Sequence, residues 1–218
     1  MRLQDMLPFW KSLTKEQKNK LLASCREVNY KKGDVLHAGS NDCSGLFVVR
    51  GGQLRSYIIS EGGKEITLYR LFERDICIFS ASCIMKNISF DIFVEAEKDT
   101  QVYLIPSSIY SEVQKESLAV SEYTNELLSS RMSDLMWVME QVLFMSFDKR
   151  LAIFLLEQSA IEGKDTFKMT QEMMARHLGS AREVVSRMLK YFADEGLVEV
   201  SRGSVTLLDR KKLEKLAY

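Results

Sequence analysis

The sequence is poor in histidine, because His37 and His177 are the only two in 218 residues. A catalytic metal centre on a β-barrel usually needs several histidines with a carboxylate, and two widely separated histidines cannot supply it. The sequence also lacks a P-loop, a dinucleotide-binding fingerprint and a nucleophile motif. We therefore expect no metal, no cofactor and no enzymatic activity.

Long apolar runs are absent as well. The first residues include Asp5 and no extended hydrophobic stretch, so they do not form a signal peptide, and no later run reaches membrane-spanning length. The four cysteines are more consistent with reduced thiols than with a disulfide framework. The sequence thus predicts a cytoplasmic protein with no membrane partner.

A surplus of charge is also missing, since 30 basic residues balance 30 acidic ones. Zero net charge argues against a protein that coats nucleic acid non-specifically. A sequence-specific DNA binder without a net positive charge must concentrate its cations where it contacts the DNA. The candidates for phosphate contacts are Lys149, Arg150, Arg176, Lys190 and Arg202.

Residues 170–189 have the pattern of two short helices joined by a turn at Gly179. The small residue Ala175 allows close helix packing, and Gly179 can adopt the left-handed turn conformation. In the second helix, Val185, Met188, Leu189 and Phe192 follow the spacing of a buried face. The pattern predicts a helix-turn-helix.

The other face of the second helix carries Arg182, Glu183, Ser186 and Arg187. In a DNA major groove, arginine can bond both acceptors of guanine and glutamate can accept from the cytosine amino group. Two alternatives stay open: Ser180 and Glu183 form a capping box, or the arginines are an ordinary solvated face. The full set of candidate DNA-binding residues is Thr170, Gln171, Arg182, Glu183, Ser186, Arg187, Lys190 and Arg202.

The rest of the C-terminal part predicts a winged helix. Two β-rich runs, 197–201 and 204–208, flank Arg202-Gly203 and predict a hairpin. An amphipathic helix is expected from Phe147 to Ser159.

The N-terminal part favours short strands separated by glycine and Asn/Asp clusters. A capping box at Thr14 and Gln17 predicts a helix that precedes the strands. Residues 61–64 predict a hairpin turn between two of the strands. The six predicted strands, which suggest an antiparallel β-roll, are Val35–His37, Leu46–Arg50, Leu54–Ile59, Glu65–Leu71, Ile92–Glu95 and Gln101–Ile105.

A long helical stretch is expected from about Ser107, after Pro106, to about Ser146. It carries an apolar stripe with a 4-3-4-3 spacing, which is typical of a coiled-coil seam and predicts a homodimer. The alternative is that the stripe packs on its own β-roll. The stripe consists of Leu128, Met132, Leu135, Met139 and Val142.

The segment Arg182-Glu183-Val184-Val185-Ser186-Arg187 resembles the recognition helix of the Crp/Fnr family of bacterial transcription regulators. The resemblance implies that Glu183 and Arg187 contact base edges of a palindromic site, with a TTGA or TGTGA-like half-site. The Glu-x-x-Ser-Arg form is similar to the Fnr branch, whereas Arg182 is similar to the cyclic-AMP receptor branch. The similarity extends in order along nearly the whole chain.

The same resemblance bears on which effector could control the protein. Family members that bind cyclic nucleotides hold the ribose and phosphate with a Gly-Glu pair and a following Arg. The corresponding region, 74–92, lacks the pair and has Asp91 near the expected Arg, and an acid there repels a phosphate. Cyclic nucleotides are therefore not expected.

Cys77 and Cys83 in that region form a candidate redox pair, which would need exposed thiolates of low pKa. Their apolar neighbours favour the alternative of buried structural cysteines. The spacing of Cys25, Cys43, Cys77 and Cys83 does not match an Fnr-like iron–sulfur site.

Together these features predict an α+β protein, with an antiparallel, cyclic-nucleotide-binding-like β-roll at 1–106, a dimerisation helix at 107–146 and a winged helix-turn-helix at 147–218. We expect a homodimeric regulator that binds double-stranded DNA, works with RNA polymerase and responds to a small-molecule or redox effector. The alternatives are a thiol-based redox sensor using Cys77 and Cys83, and an interaction module that does not read DNA.

Overall fold

The computed structural model describes residues 2–39, 44–80 and 91–218. The chain divides into two compact units. The first comprises Met1–Ile58 and Leu68–Leu135, and the second comprises Ile59–Thr67 and Met136–Tyr218. The region predicted to sense the signal therefore lies mostly in the first unit, and the predicted DNA-binding region lies in the second.

The first unit begins with two short 3-10 segments, Leu3–Asp5 and Pro8–Ser12, and helix α1, Lys15–Ser24. The predicted capping box at α1 is confirmed: the Gln17 amide donates to Thr14 Oγ1 at 3.2 Å and the Thr14 amide donates to Gln17 Oε1 at 3.0 Å. These bonds satisfy two amides that have no partner within the helix.

Eight strands form two four-stranded sheets, in the orders β1-β8-β3-β6 and β2-β7-β4-β5. All six predicted strands occur, and the sequence analysis missed β1, which has an exposed edge-like pattern, and β6, which has only two residues. Strand β3 contributes four consecutive fully buried residues, 46–49, to the apolar core of this unit, so both of its faces are covered. The strands are β1 Arg26–Tyr30, β2 Val35–Ala38, β3 Leu46–Gly51, β4 Leu54–Ile59, β5 Glu65–Leu71, β6 Ile76–Cys77, β7 Phe93–Ala96 and β8 Thr100–Ile105.

The predicted turn at 61–64 is confirmed. The Gly63 amide donates to the Ser60 carbonyl at 2.9 Å, and the Ser60 amide donates to the Lys64 carbonyl at 2.8 Å. Gly63 has a φ of 76°, a left-handed conformation that glycine adopts without strain. The turn closes a hairpin, residues 59–67, which continues β4 and β5 and belongs to the second unit.

Arg74 has a φ of 77°, and within the described residues it is the one non-glycine residue with a positive φ. This conformation costs an L-residue about 1–2 kcal/mol. We expect Arg74→Gly to raise the free energy of unfolding by about 1 kcal/mol, because part of the gain is offset by the greater freedom of glycine in the unfolded chain. Urea denaturation measures the difference.

The control for this prediction is Arg74→Ala, which removes the same exposed side chain but keeps the strain. We expect it to leave stability within about 0.5 kcal/mol of the wild type. Equal stabilities of the glycine and alanine variants would contradict the account of backbone strain.

The predicted central helix is divided at Ser117 into α2, Ser107–Glu116, and α3, Leu118–Phe144. Ser117 has an extended backbone, with φ −127° and ψ 113°. The division was not predicted, because the buried positions 110, 113, 117, 120 and 124 keep a helical spacing across it.

Besides the end of α3 and the hairpin 59–67, the second unit contains four helices and a three-stranded antiparallel sheet in the order β10-β11-β9. Its core joins Leu151 and Leu155 to Val185, Leu189 and Phe192, so the predicted buried face of the second motif helix is confirmed. Strand β9 and helix α7 were not predicted. The elements are α4 Phe147–Glu162, β9 Thr166–Lys168, α5 Gln171–Leu178, α6 Arg182–Asp194, β10 Val198–Ser201, β11 Ser204–Leu207 and α7 Arg210–Ala217.

Among the described residues, none of the helices combines the length and the apolar character that crossing a membrane requires.

Candidate nucleic-acid interface

Helices α5 and α6 form the predicted helix-turn-helix. Thr170 caps α5, since the Met173 amide donates to Thr170 Oγ1 at 3.1 Å. Gly179 ends α5 with a φ of 62°, the left-handed conformation expected of it. Ala175 is buried where the two helices pack. The residues at positions 175 and 179 therefore set the direction in which α6 leaves the turn.

Helix α6 exposes its polar face. Arg182, Glu183, Arg187 and Lys190 are exposed and Ser186 is half-buried, while Val185 and Leu189 on the opposite face are fully buried. The predicted base-reading side chains therefore share one accessible surface, which we call the reading face. This arrangement presents donors and an acceptor together, as base recognition in a groove requires.

The capping-box alternative for Glu183 is wrong. The N-cap of α6 is Ala181, and its side chain makes no capping hydrogen bond. The Ala181 carbonyl accepts from the Val184 amide at 3.0 Å. Because the helix starts one residue later than a cap at Ser180 would require, the carboxylate of Glu183 stays exposed on the reading face.

The predicted wing is present. Strands β10 and β11 are joined by the two-residue loop Arg202-Gly203, with Gly203 at a φ of 77°. A cleft of about 510 Å³ lies between the wing, the start of α5 and α6, and Thr170, Gln171, Arg182 and Arg202 all line it. Glu172 lines it too. Two guanidinium groups beside the first turn of a helix favour an anionic group such as a DNA phosphate.

Two of the cations considered for phosphate contacts have structural partners instead. Arg150 on α4 donates through Nη2 to the Leu178 carbonyl, and burial lowers its pKa from the ordinary arginine value. Arg176 on α5 donates through Nε to Glu65 Oε2 at 2.9 Å. Both therefore hold the turn of the motif, whereas Lys190 and Arg202 are exposed and Lys149 is half-buried.

His177 packs beside the turn of the motif. It is buried, its ring lies 5.2 Å from the Phe154 ring between centroids, and its Nδ1 lies 2.7 Å from Thr67 Oγ1. Sequence analysis did not identify the hairpin residues Glu65, Ile66 and Thr67 beside the motif. Their local pattern does not indicate a contact with the motif, which is distant in the sequence.

The predicted dimer stripe on α3 is split in the structure. Leu128 and Leu135 are partly buried against the core of the first unit, so for these two residues the alternative of packing on the β-roll holds. Met132, Met139 and Val142 are exposed, and Met136 and Leu143 are exposed as well. The exposed residues with a 4-3-4 spacing are Met132, Met136, Met139 and Leu143, a set rotated from the predicted one.

Cys77 is fully buried, and burial raises the pKa of its thiol above the ordinary value. Burial also raises the pKa of Cys25 to about 11. Cys43 and Cys83 lie outside the described residues, so the predicted Cys77–Cys83 pair is described at only one end. A buried thiol with a raised pKa is a poor redox nucleophile.

Aromatic and cationic side chains fill the space near Cys77. The Tyr69 and Phe79 rings lie 6.0 Å apart between centroids, and the Arg131 guanidinium of α3 lies 4.5 Å from the Tyr69 ring centroid. Burial is the main cause of a raised Tyr69 pKa. In the described part of the chain, no group of three or more His, Cys, Asp and Glu residues could hold a metal ion.

Comparison with known proteins supports this description of the site. The family model of the Crp-like helix-turn-helix domain matches residues 149–216. The Electron transport regulator A of Shewanella oneidensis is 28% identical over 88% of this chain and 78% of that protein. The Transcriptional activator protein FnrA of Stutzerimonas stutzeri is 27% identical over 86% of this chain and 78% of that protein.

A solved structure from Eubacterium rectale ATCC 33656, assigned to transcriptional regulators of the Crp/Fnr family, is more similar still. It is 51% identical, covers 98% of this chain and 99% of its own, and superposes with a TM-score of 0.94. The resemblance inferred from the recognition segment therefore extends through both units.

Proposed function

The chain belongs to the Crp/Fnr family of transcription regulators, and we propose that it binds a palindromic promoter site as a homodimer under the control of a signal received in its β-roll. The observation that carries this proposal is the reading face of α6. Such a DNA-bound dimer would act on transcription by RNA polymerase.

The reading face suits base recognition because its charged side chains are exposed and none of them is used to cap the start of α6. Arg182 and Arg187 can each offer a planar pair of donors to guanine, and Glu183 can accept from cytosine. The cleft lined by Thr170, Gln171 and Arg202 supports a phosphate contact that holds α6 in register. An interaction module that does not read DNA would not require a cleft suited to a phosphate, so the cleft favours DNA binding over this alternative.

The homodimer is supported by the exposed stripe on α3. Four large apolar side chains with heptad-like spacing are costly to leave in water, and the partner that fits a repeating seam is a second copy of the same helix. A dimer with two-fold symmetry reads an inverted repeat when its recognition helices are about 34 Å apart. The stripe that we assign to the seam is Met132, Met136, Met139 and Leu143.

The signal is proposed not to be a cyclic nucleotide. Asp91 is exposed, and Tyr69 beside Cys77 already packs against both Phe79 and Arg131. The burial of Cys77 disfavours a thiol switch in this state. A signal would act by shifting the population between conformations of the dimer that present the reading faces differently.

The test is fluorescence anisotropy of the purified, reduced protein with duplexes that carry inverted repeats of TTGA or of TGTGA, and with a scrambled duplex. We expect tight binding to one inverted repeat, at least 1,000-fold stronger than to the scrambled duplex at the same salt concentration. Cyclic AMP should leave the affinity unchanged. Equal affinity for all three duplexes would overturn the proposal.

A further inference from the structure

We propose that the hairpin of residues 59–67 fixes the turn between α5 and α6 and so positions the reading helix. The effect on DNA binding rests on the proposed function, whereas the contact with the turn does not. The hairpin would be a second connection between the β-roll strands and the DNA-binding motif, beside the chain that runs through α3.

Three consecutive residues of β5 contact the end of α5. Glu65 accepts from Arg176 Nε at 2.9 Å, Ile66 forms an antiparallel β-bridge with Leu178, and Thr67 Oγ1 lies 2.7 Å from His177 Nδ1. An ion pair, a backbone bridge and a side-chain hydrogen bond therefore act on one turn of helix. All of these residues belong to the second unit.

The contacts end at the residue that sets the direction of α6. A Cβ placed on Gly179 would lie 3.2 Å from Ile66 Cδ1, so the Ile66 side chain closely covers the left-handed turn. Arg150 of α4 also donates to the Leu178 carbonyl. The turn is held between α4 and the hairpin, and α6 begins three residues after Gly179.

The docked hairpin leaves the reading face exposed, so docking is compatible with base recognition. A turn held in one conformation also reduces the ordering that DNA binding would otherwise require. Since β4 and β5 continue into this hairpin, a change in their sheet reaches the hairpin through the chain and the turn through the contacts of residues 65–67. We infer that the docked hairpin favours DNA binding.

The direction in which DNA affinity changes when the Glu65 charge is removed distinguishes this inference from a general electrostatic effect. Removing a carboxylate near a DNA-binding motif strengthens attraction to phosphates in general. If Glu65 instead positions the turn through Arg176, then Glu65→Gln weakens binding. The matched control is Glu61→Gln, which makes the same change on an exposed residue of the same hairpin.

We expect Glu65→Gln to weaken binding to the palindromic duplex about fivefold, as is appropriate for a partly exposed ion pair, and Glu61→Gln to leave it unchanged or slightly tighter. Amide hydrogen exchange at 178–182 should be faster in Glu65→Gln than in the wild type and unchanged in Glu61→Gln. Ile66→Ala should show a larger effect of the same sign, with Ile59→Ala as its control.

The proposal would be overturned if amide hydrogen exchange at 178–182 were the same as in the wild type in both Glu65→Gln and Ile66→Ala. It would also be overturned by tighter DNA binding by Glu65→Gln that matches the effect of Glu61→Gln. If the wild-type protein bound no DNA sequence selectively, the proposed function would fail, and the exchange measurement would still decide whether the hairpin fixes the turn.

Discussion

Met136→Glu is expected to convert the proposed dimer into a monomer and to weaken binding to the proposed palindromic duplex by about 100-fold or more. Met136 is the centre of the exposed stripe on α3, and two-fold pairing would bring two such carboxylates together in an apolar seam. Burying unpaired charges costs several kcal/mol, more than a short seam can offset. Sedimentation equilibrium and anisotropy measure the two effects.

The control for the seam is Ser130→Glu. It adds the same charge to the same helix at an exposed residue, about 120° around the helix from Met136 at 100° per residue. We expect this variant to remain dimeric and to bind DNA normally. A Met136→Glu protein that stays dimeric would show that α3 does not pair through the stripe proposed for it.

Arg187→Ala is expected to cost about 1–3 kcal/mol of binding free energy, roughly 5- to 150-fold in affinity, at the palindromic site. The loss should be confined to sequence reading, because Arg187 lies exposed on the reading face. At the base pair that Arg187 reads, the variant should tolerate substitutions that the wild type rejects. Anisotropy with the cognate duplex and single-pair variants measures both.

Lys190→Ala provides the comparison, since a phosphate contact weakens all sequences evenly and reduces the salt dependence. Equal losses by Arg187→Ala on cognate and scrambled duplexes would remove Arg187 from the set of base-reading residues. Circular dichroism of each variant separates a loss of contact from a loss of fold.

The DNA-binding motif was largely predictable from its sequence because its geometry depends on single residues. Gly179 provides the left-handed turn, Ala175 the close approach, and Gly203 the two-residue wing loop. The six strands with clear β-rich runs were predictable for the same reason, since their patterns are local. In both cases the pattern within one short segment was enough to predict the element.

Other features depend on contacts between distant segments. The division at Ser117 is hidden because the buried positions on both sides keep one helical spacing. The predicted stripe included Leu128 and Leu135, because their helical spacing does not reveal that they pack against the core of their own chain. The partners of Arg150 and Arg176 could not be inferred, because a surface cation and a structural one have the same local sequence signal.

The most direct test of the proposed function is selection from a random duplex library with the purified, reduced protein, followed by sequencing of the retained duplexes. The proposal predicts enrichment of a site with two-fold symmetry whose half-sites lie about one helical turn apart. The recovered half-site would also show which branch of the family the reading face resembles. Failure of the folded, dimeric protein to enrich any sequence would contradict the proposal that it reads DNA in this state.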